Sequence, residues 1–243
     1  MSTDEQKKAA AIAALDYVKP GMKLGLGTGS TANNFIAALG ERVKIGLTVL
    51  CVPTSAATQK LAASLGIALT TLEQTPHLDL TVDGADEFDG KFDLIKGGGG
   101  ALLLEKIVAS SSRYMLVIAD ESKKVETLGK FPLPVEVIPF GVNATAWKIE
   151  RALRICGLTG SLVLRKGPDG KSFRTEAGNT IIDVAIGRIP EPGRLGDLLS
   201  IIPGVVENGI FHSLCGIVLM GTGKGVVTFT KTGKPVDIEV RAS

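Results

Sequence analysis

The chain has little net charge, few cysteines and histidines, and no long apolar run. Each shortage removes a class of function. Lys and Arg number 27 against 25 Asp and Glu in 243 residues, a formal charge of +2. Binding nucleic-acid phosphates needs a clustered basic excess, which this balance does not supply. No apolar stretch approaches the roughly 20 residues of a membrane-spanning helix. The N-terminus opens on charges, and the alanine-rich stretch behind it is broken by Asp16 and Lys19. That pattern predicts no secretory leader. Cys51, Cys156 and Cys215 are odd in number, far apart and without a C-x-x-C pair. They complete no disulfide framework and form no zinc or redox motif, so the expectation is small buried thiols in a reducing cytoplasm. His77 and His212 are isolated, and no metal site is expected. The serines lack a G-x-S-x-G elbow.

What is present is a globular composition. Apolar residues make up 44% of the chain, enough to bury the core of one large domain or two modest ones and to exclude intrinsic disorder. Thirty glycines without a G-X-Y period exclude collagen and point to many tight turns.

The pattern up to about residue 130 alternates helix and strand. Residues 4–18 carry a helical stripe at Ala9, Ile12, Ala13 and Leu15, stopped by Pro20-Gly21. Strands are predicted at 22–27, 47–52, 78–82, 93–95 and 115–119, and helices at 30–39, capped near Ser30 or Thr31, 56–65 and 101–110. Continuous apolar strands separated by helices indicate a doubly wound, mostly parallel, Rossmann-like α/β sheet covered on both faces. After Pro132 and Pro134 the order becomes strand 135–138, helix 143–156, strands 162–165 and 180–186, helix 194–201 and strand 205–210. This is the split βαβ, ferredoxin-like α+β pattern. The expected division is therefore 1–131 plus 211–243 for the Rossmann-like domain, with strand-rich 216–240 returning to its sheet, and 132–210 for the ferredoxin-like domain. Trp147 is expected in the core of the smaller domain.

Four clusters carry chemistry. Gly25-Leu26-Gly27-Thr28-Gly29-Ser30-Thr31 joins a strand to a helix. Glycines that admit an anion, a helix N-terminus and three hydroxyls make a phosphate cradle. Gly27, Gly29 and Ala32 fit a dinucleotide fingerprint, but the second strand ends at Val52-Pro53-Thr54-Ser55 without the carboxylate that a nicotinamide site needs. A Walker A loop fails as well, because Gly225 follows Gly223-Lys224 and Leu219 occupies the place of the leading glycine. A phosphomonoester suits the cradle better.

The second cluster, Asp83-Gly84-Ala85-Asp86-Glu87-Phe88-Asp89, follows a strand at its carboxyl end, where ligands of open parallel sheets lie. Asp83 and Asp86 could hold sugar hydroxyls or move protons; magnesium is the rival occupant. Glu87 and Asp89 are expected to be solvated. The third is Lys96-Gly97-Gly98-Gly99-Gly100 and then Glu105. Four consecutive glycines are costly in chain entropy and suggest backbone passing close to a ligand. Lys96 could face a developing oxyanion. Glu105, expected in the second turn of its helix with small neighbours at Ala101, Ala109 and Ser112, either faces room for a ligand or is a surface acid favouring the helix N-terminus. The fourth, Asp120-Glu121-Ser122-Lys123-Lys124, puts cations at another strand end.

Together these segments resemble ribose-5-phosphate isomerases of the A type. The resemblance rests on GLGTGST at 25–31, DGADEFD at 83–89, Lys96–Gly100 with Glu105-Lys106-Ile107, Ser122–Val125, 131–139 and 207–211. It implies a cofactor-independent aldose–ketose isomerisation of ribose 5-phosphate and ribulose 5-phosphate through a cis-enediolate. It implies substrate contacts at Thr28, Gly29, Ser30, Thr31, Asp83, Gly84, Ala85, Asp86, Lys96, Gly97, Gly98, Gly99 and Lys123, with Glu105 as the proton-abstracting base. A homodimer or homotetramer in the cytoplasm is also implied. Leu104 departs from the family, where many members carry a polar or basic residue. Rival readings are an amino-sugar phosphate deaminase, which would release ammonia, a coenzyme A transferase, which would form a thioester at its glutamate, and a non-catalytic sugar-phosphate sensor, which would bind without turnover.

Overall fold

The structure, a computed structural model, describes residues 1–231, 233, 236 and 238. The chain runs through α1 (Thr3–Ala14), β1 (Lys23–Leu26), α2 (Ser30–Lys44), β2 (Leu50–Pro53), α3 (Ala56–Ser64), β3 (Leu78–Asp83), β4 (Glu87–Phe88) and β5 (Leu94–Ile95). Then come α4 (Leu102–Ser110), β6 (Ser112–Asp120), β7 (Leu133–Val137), α5 (Val142–Ile155), β8 (Ser161–Leu164) and β9 (Thr180–Ala185). It ends with α6 (Pro192–Ser200), β10 (Val205–Asn208), β11 (Ile210–Phe211), β12 (Cys215–Thr222) and β13 (Gly225–Thr230).

The chain divides into two units, Met1–Ala85 with Leu104–Lys124 and Ser213–Ser243, and Asp86–Leu103 with Val125–His212. The first holds a six-stranded sheet in the order β13-β12-β6-β3-β1-β2. Every pairing in it is parallel except that of the edge strand β13. Alternation along the strands sends Leu24, Leu26, Leu80, Val82, Leu116 and Ile118 to one face, where they pack with Ala10, Ala11 and Ala14 of α1 and Phe35, Ile36 and Leu39 of α2. The opposite face carries Thr81, whose hydroxyl donates to the Val108 carbonyl of α4 at 3.4 Å. Both faces are thus covered, the doubly wound arrangement that the apolar strands imply. The strand-rich segment expected up to Val240 lies partly outside the described residues.

The second unit has a four-stranded antiparallel sheet, β10-β7-β9-β8, the strand order of a ferredoxin-like βαββαβ. One face (Leu133, Val135, Val137, Ile182, Val184) packs on α5 and α6 through Ile149, Leu153, Leu195 and Leu199. A three-stranded sheet, β11-β5-β4, belongs to the same unit. Trp147 is 57% exposed rather than core. The apolar side of α5 is supplied by Ile149, Ala152 and Leu153, and position 147 falls off that stripe.

Candidate active site

In the first unit, β1 leads through Gly27-Thr28-Gly29 into α2. The helix N-cap is Gly29 (φ 116°, ψ 174°), with no side-chain cap, so Ser30 opens the helix instead of capping it. Gly29 and Ser30 are exposed and Thr31 is half-buried. The first-turn N–H groups and the Ser30 hydroxyl therefore present an anion-favouring helix end.

Gly25 and Gly27 are demanded by a neighbouring strand rather than by a ligand. A Cβ on Gly25 would fall 2.1 Å from Thr81 Oγ1, and one on Gly27 2.0 Å from Asp83 Oδ1. Asp83, fully buried at the end of β3, accepts from the Thr28 N–H at 3.2 Å and the Gly84 N–H at 2.7 Å through that same Oδ1. Thr28 is fixed by hydroxyls that sequence reasoning passed over. Its Oγ1 donates to Ser55 Oγ (2.8 Å), which donates to Thr58 Oγ1 (3.0 Å), which donates to the Gly27 carbonyl (2.9 Å). Thr54 joins from 2.7 Å. The signal available was Thr54-Ser55 at the end of β2, read there only as a missing carboxylate.

Glu105 lies in the first turn of α4, not the second, and is 4% exposed. Burial excludes the surface-acid alternative. Ser112 is the first residue of β6 and no helical neighbour. Lys123 ends a short 3₁₀ turn after β6 and is half-buried. Asp120 caps that turn by accepting from the Ser122 N–H at 3.1 Å.

In the second unit, Asp86 is half-buried and its Oδ2 accepts from the Gly98 N–H at 2.7 Å. Lys96 is buried, its Nζ 5.5 Å above the Phe211 ring. Its N–H is tied to the Gly209 carbonyl at 2.9 Å. Gly97 and Gly100 are buried while Gly98 and Gly99 are exposed, and a Gly100 N–H to Gly97 carbonyl bond of 3.0 Å closes the turn.

Glu87 and Asp89 are buried, contrary to the expectation of a solvated turn. Glu87 accepts from the N–H groups of Gly129 (2.8 Å) and Phe131 (2.6 Å), which pins that segment to β4. Asp89 accepts from the N–H groups of Lys91 and Asp93. Burial pushes its carboxyl up from the ordinary range, the two N–H bonds pull it down, and the charge of Asp93 adds to the rise. His212, isolated in sequence, lies with Nδ1 2.7 Å from Asp93 Oδ1. Among the described residues no cluster of His, Cys, Asp and Glu is able to hold a metal ion. Burial pushes the Cys51 and Cys215 thiols up to about 12, which leaves them protonated and inert. Cys156 is half-buried.

A model of the family described as ribose 5-phosphate isomerase A (phosphoriboisomerase A) matches residues 50–225. The chain belongs to this family. A relative from Parvibaculum lavamentivorans named ribose-5-phosphate isomerase A is 60% identical over 225 residues, covering 93% of this chain and 97% of that protein. The solved ribose 5-phosphate isomerase A of Methanocaldococcus jannaschii matches with a TM-score of 0.86 at 43% identity, covering 95% of this chain and all of that one. A solved D-ribose-5-phosphate isomerase in complex with phospho-erythronic acid matches with a TM-score of 0.88 at 40% identity, again over 95% of this chain and all of that one. As a member of the ribose-5-phosphate isomerase A family the chain is an enzyme, an isomerase. No helix among the described residues is long and apolar enough to cross a membrane.

Proposed function

We propose that this chain interconverts ribose 5-phosphate and ribulose 5-phosphate with Glu105 as the base. The carrying observation is the burial of the Glu105 carboxylate, 4% exposed, in the first turn of the helix that follows Gly97–Gly100 in sequence. Asp83 or Asp86 assists ring opening by moving a proton between the ring oxygen and the C1 hydroxyl. Glu105 then removes the C2 proton. The C2–H electron pair forms the C1–C2 double bond, and the carbonyl pair moves onto O1. Lys96 and nearby backbone N–H groups stabilise that oxygen in the enediolate. The O2 proton passes to O1 as the carbonyl re-forms at C2, and Glu105 returns its proton to C1. Oxidation at C2 balances reduction at C1 within one molecule, so the reaction needs no external electron acceptor.

The phosphate is assigned to the open N-terminus of α2, Gly29 to Thr31, where partial positive charge and exposed donors coincide. Lys123 contributes a substrate contact. Following the same resemblance, the enzyme works in the cytoplasm as a homodimer or homotetramer, whose mass sedimentation velocity reads directly.

Isomerisation in deuterium oxide tests the mechanism. The parent incorporates solvent deuterium at C1 of ribulose 5-phosphate. Glu105→Gln lowers kcat by roughly 10²–10⁴-fold with little change in substrate affinity, and abolishes incorporation. A near-normal kcat in that variant overturns the assignment of the base.

A further inference from the structure

The glycine loop of the second unit does not hold its shape alone. The helix-free face of the four-stranded sheet carries Pro134, Glu136, Ile181 and Asp183, and one residue beyond β8 Arg165 joins this face. Arg165 stays in the ladder, its N–H donating to the Ile181 carbonyl at 2.8 Å. Its side chain is 13% exposed and forms a two-pronged pair with Asp183, Nε to Oδ2 at 2.9 Å and Nη2 to Oδ1. The remaining nitrogen, Nη1, donates to two successive carbonyls of the loop, Gly97 at 2.9 Å and Gly98 at 3.2 Å. The Phe173 ring lies 5.7 Å from the guanidinium carbon and closes on Gly100, where a Cβ would meet the ring at 2.4 Å.

Peptide geometry gives this grip a consequence. In a planar trans peptide the carbonyl of one residue and the N–H of the next point in opposite directions. With the Gly97 and Gly98 carbonyls turned to Arg165, the Gly98 and Gly99 N–H groups are both turned away from it. The first is seen doing so, because it donates to Asp86 Oδ2 at 2.7 Å. The second follows on the same side at the exposed tip. The Gly98 N–H is engaged by that carboxylate, which leaves the Gly99 N–H to meet an anion at the tip. A cationic donor on each carbonyl also polarises the peptide and strengthens its N–H as a donor.

We infer that Arg165, held by Asp183 and Phe173, is a positioning residue that aims the Gly99 N–H group at the oxyanion of the enediolate, while the Gly98 N–H holds the Asp86 carboxylate. This rests on the isomerase reading above and deepens it. Lysine is no substitute, since a point charge cannot grip a carboxylate with two nitrogens and two carbonyls with the third. The substrate phosphate is assigned to the N-terminus of α2, so the loss should fall on the chemical step and spare ground-state binding.

The test compares the parent enzyme with Arg165→Lys, Arg165→Ala and Asp183→Asn. Arg165→Lys is expected to lower kcat by about 10- to 100-fold, with KM for ribose 5-phosphate within about threefold of the parent. Millimolar guanidinium, but not ammonium, should restore part of the kcat of Arg165→Ala, a readout that a scaffold defect would not give. If the Arg165 variants fail to fold, Asp183→Asn carries the same test and should show the same kcat loss in smaller degree. Amide resonances of Gly98 and Gly99 should move in every folded variant. An active parent whose folded variants keep kcat within twofold, or lose KM instead, overturns the inference and leaves the isomerase reading intact. An inactive parent sinks that reading, and unmoved glycine resonances would then independently sink the role given to Arg165.

Discussion

Two glycine-rich loops look alike on paper and are built for opposite reasons. In Gly25–Gly29 the missing side chains mostly make room for protein. Gly25 lies against Thr81, and Gly27 against Asp83, closer than any Cβ could stand. In Gly97–Gly100 three positions are filled, by Leu102 and Pro134 at Gly97, by the Asp86 carboxylate at Gly98 and by Phe173 at Gly100, while a Cβ at Gly99 would meet nothing within 4 Å. The first loop is rigid because a strand crowds it and hydroxyls tie it. The second is rigid because an arginine reaches out and holds its carbonyls. Glycine spacing announces that backbone must come close to something, but not whether that something is protein or ligand.

The sharpest way to break this comparison is Gly27→Ala. The new methyl would fall 2.6 Å from the Asp83 Cα as well as on its carboxylate. Backbone cannot yield as a flexible side chain can, so overpacking should cost about 3 kcal/mol or more. Denaturant unfolding measures it, and a loss under about 1 kcal/mol would mean that β1 and β3 are less constrained than described. Thr28→Val sits one step lower. It keeps the volume but deletes the hydroxyl that donates to Ser55, which leaves part-buried oxygens with fewer partners at a cost of about 1–2 kcal/mol. Restoring the hydroxyl with Thr28→Ser should recover most of that stability. If it does not, the relay through Ser55 and Thr58 is incidental.

What could be read beforehand followed the range of the interaction involved. The order of strands and helices in both units was legible because apolar periodicity is local to each segment. Asp83, Asp86 and Lys96 stood out because carboxylates, a lysine and glycines crowd the ends of predicted strands, whereas Glu105, inside a predicted helix, was singled out by the family resemblance. Arg165 and Asp183 did not stand out, although register places Val163 opposite Asp183 and Arg165 two residues further along the same face. Their importance depends on a loop some 67 positions away in sequence, which no local pattern records. Glu87 was misjudged for the same reason, whereas Asp89 is held by the local N–H groups of Lys91 and Asp93. An acidic run reads as solvated until distant N–H groups, here those of Gly129 and Phe131 for Glu87, are known to face it. Trp147 shows the converse error, since a large aromatic on an amphipathic helix was assigned to the core by residue type while its helical phase puts it outside.

The smallest expected change in stability is the one that sharpens the comparison most. Gly99→Ala places a methyl at the exposed tip of the second loop, in open space, so unfolding free energy should move by no more than about 0.5 kcal/mol. If the tip presents its N–H to substrate, that methyl occupies volume the sugar needs, and displacing the reacting carbons by even about 1 Å costs on the order of 10²-fold in rate. The expected signature is therefore an intact fold with kcat/KM reduced, the reverse of Gly27→Ala, whose first loss is stability. Full activity in Gly99→Ala would show that the empty space at the tip is solvent alone. The four glycines would then serve only the turn that Arg165 and Phe173 hold, and the two loops would differ in construction without differing in purpose.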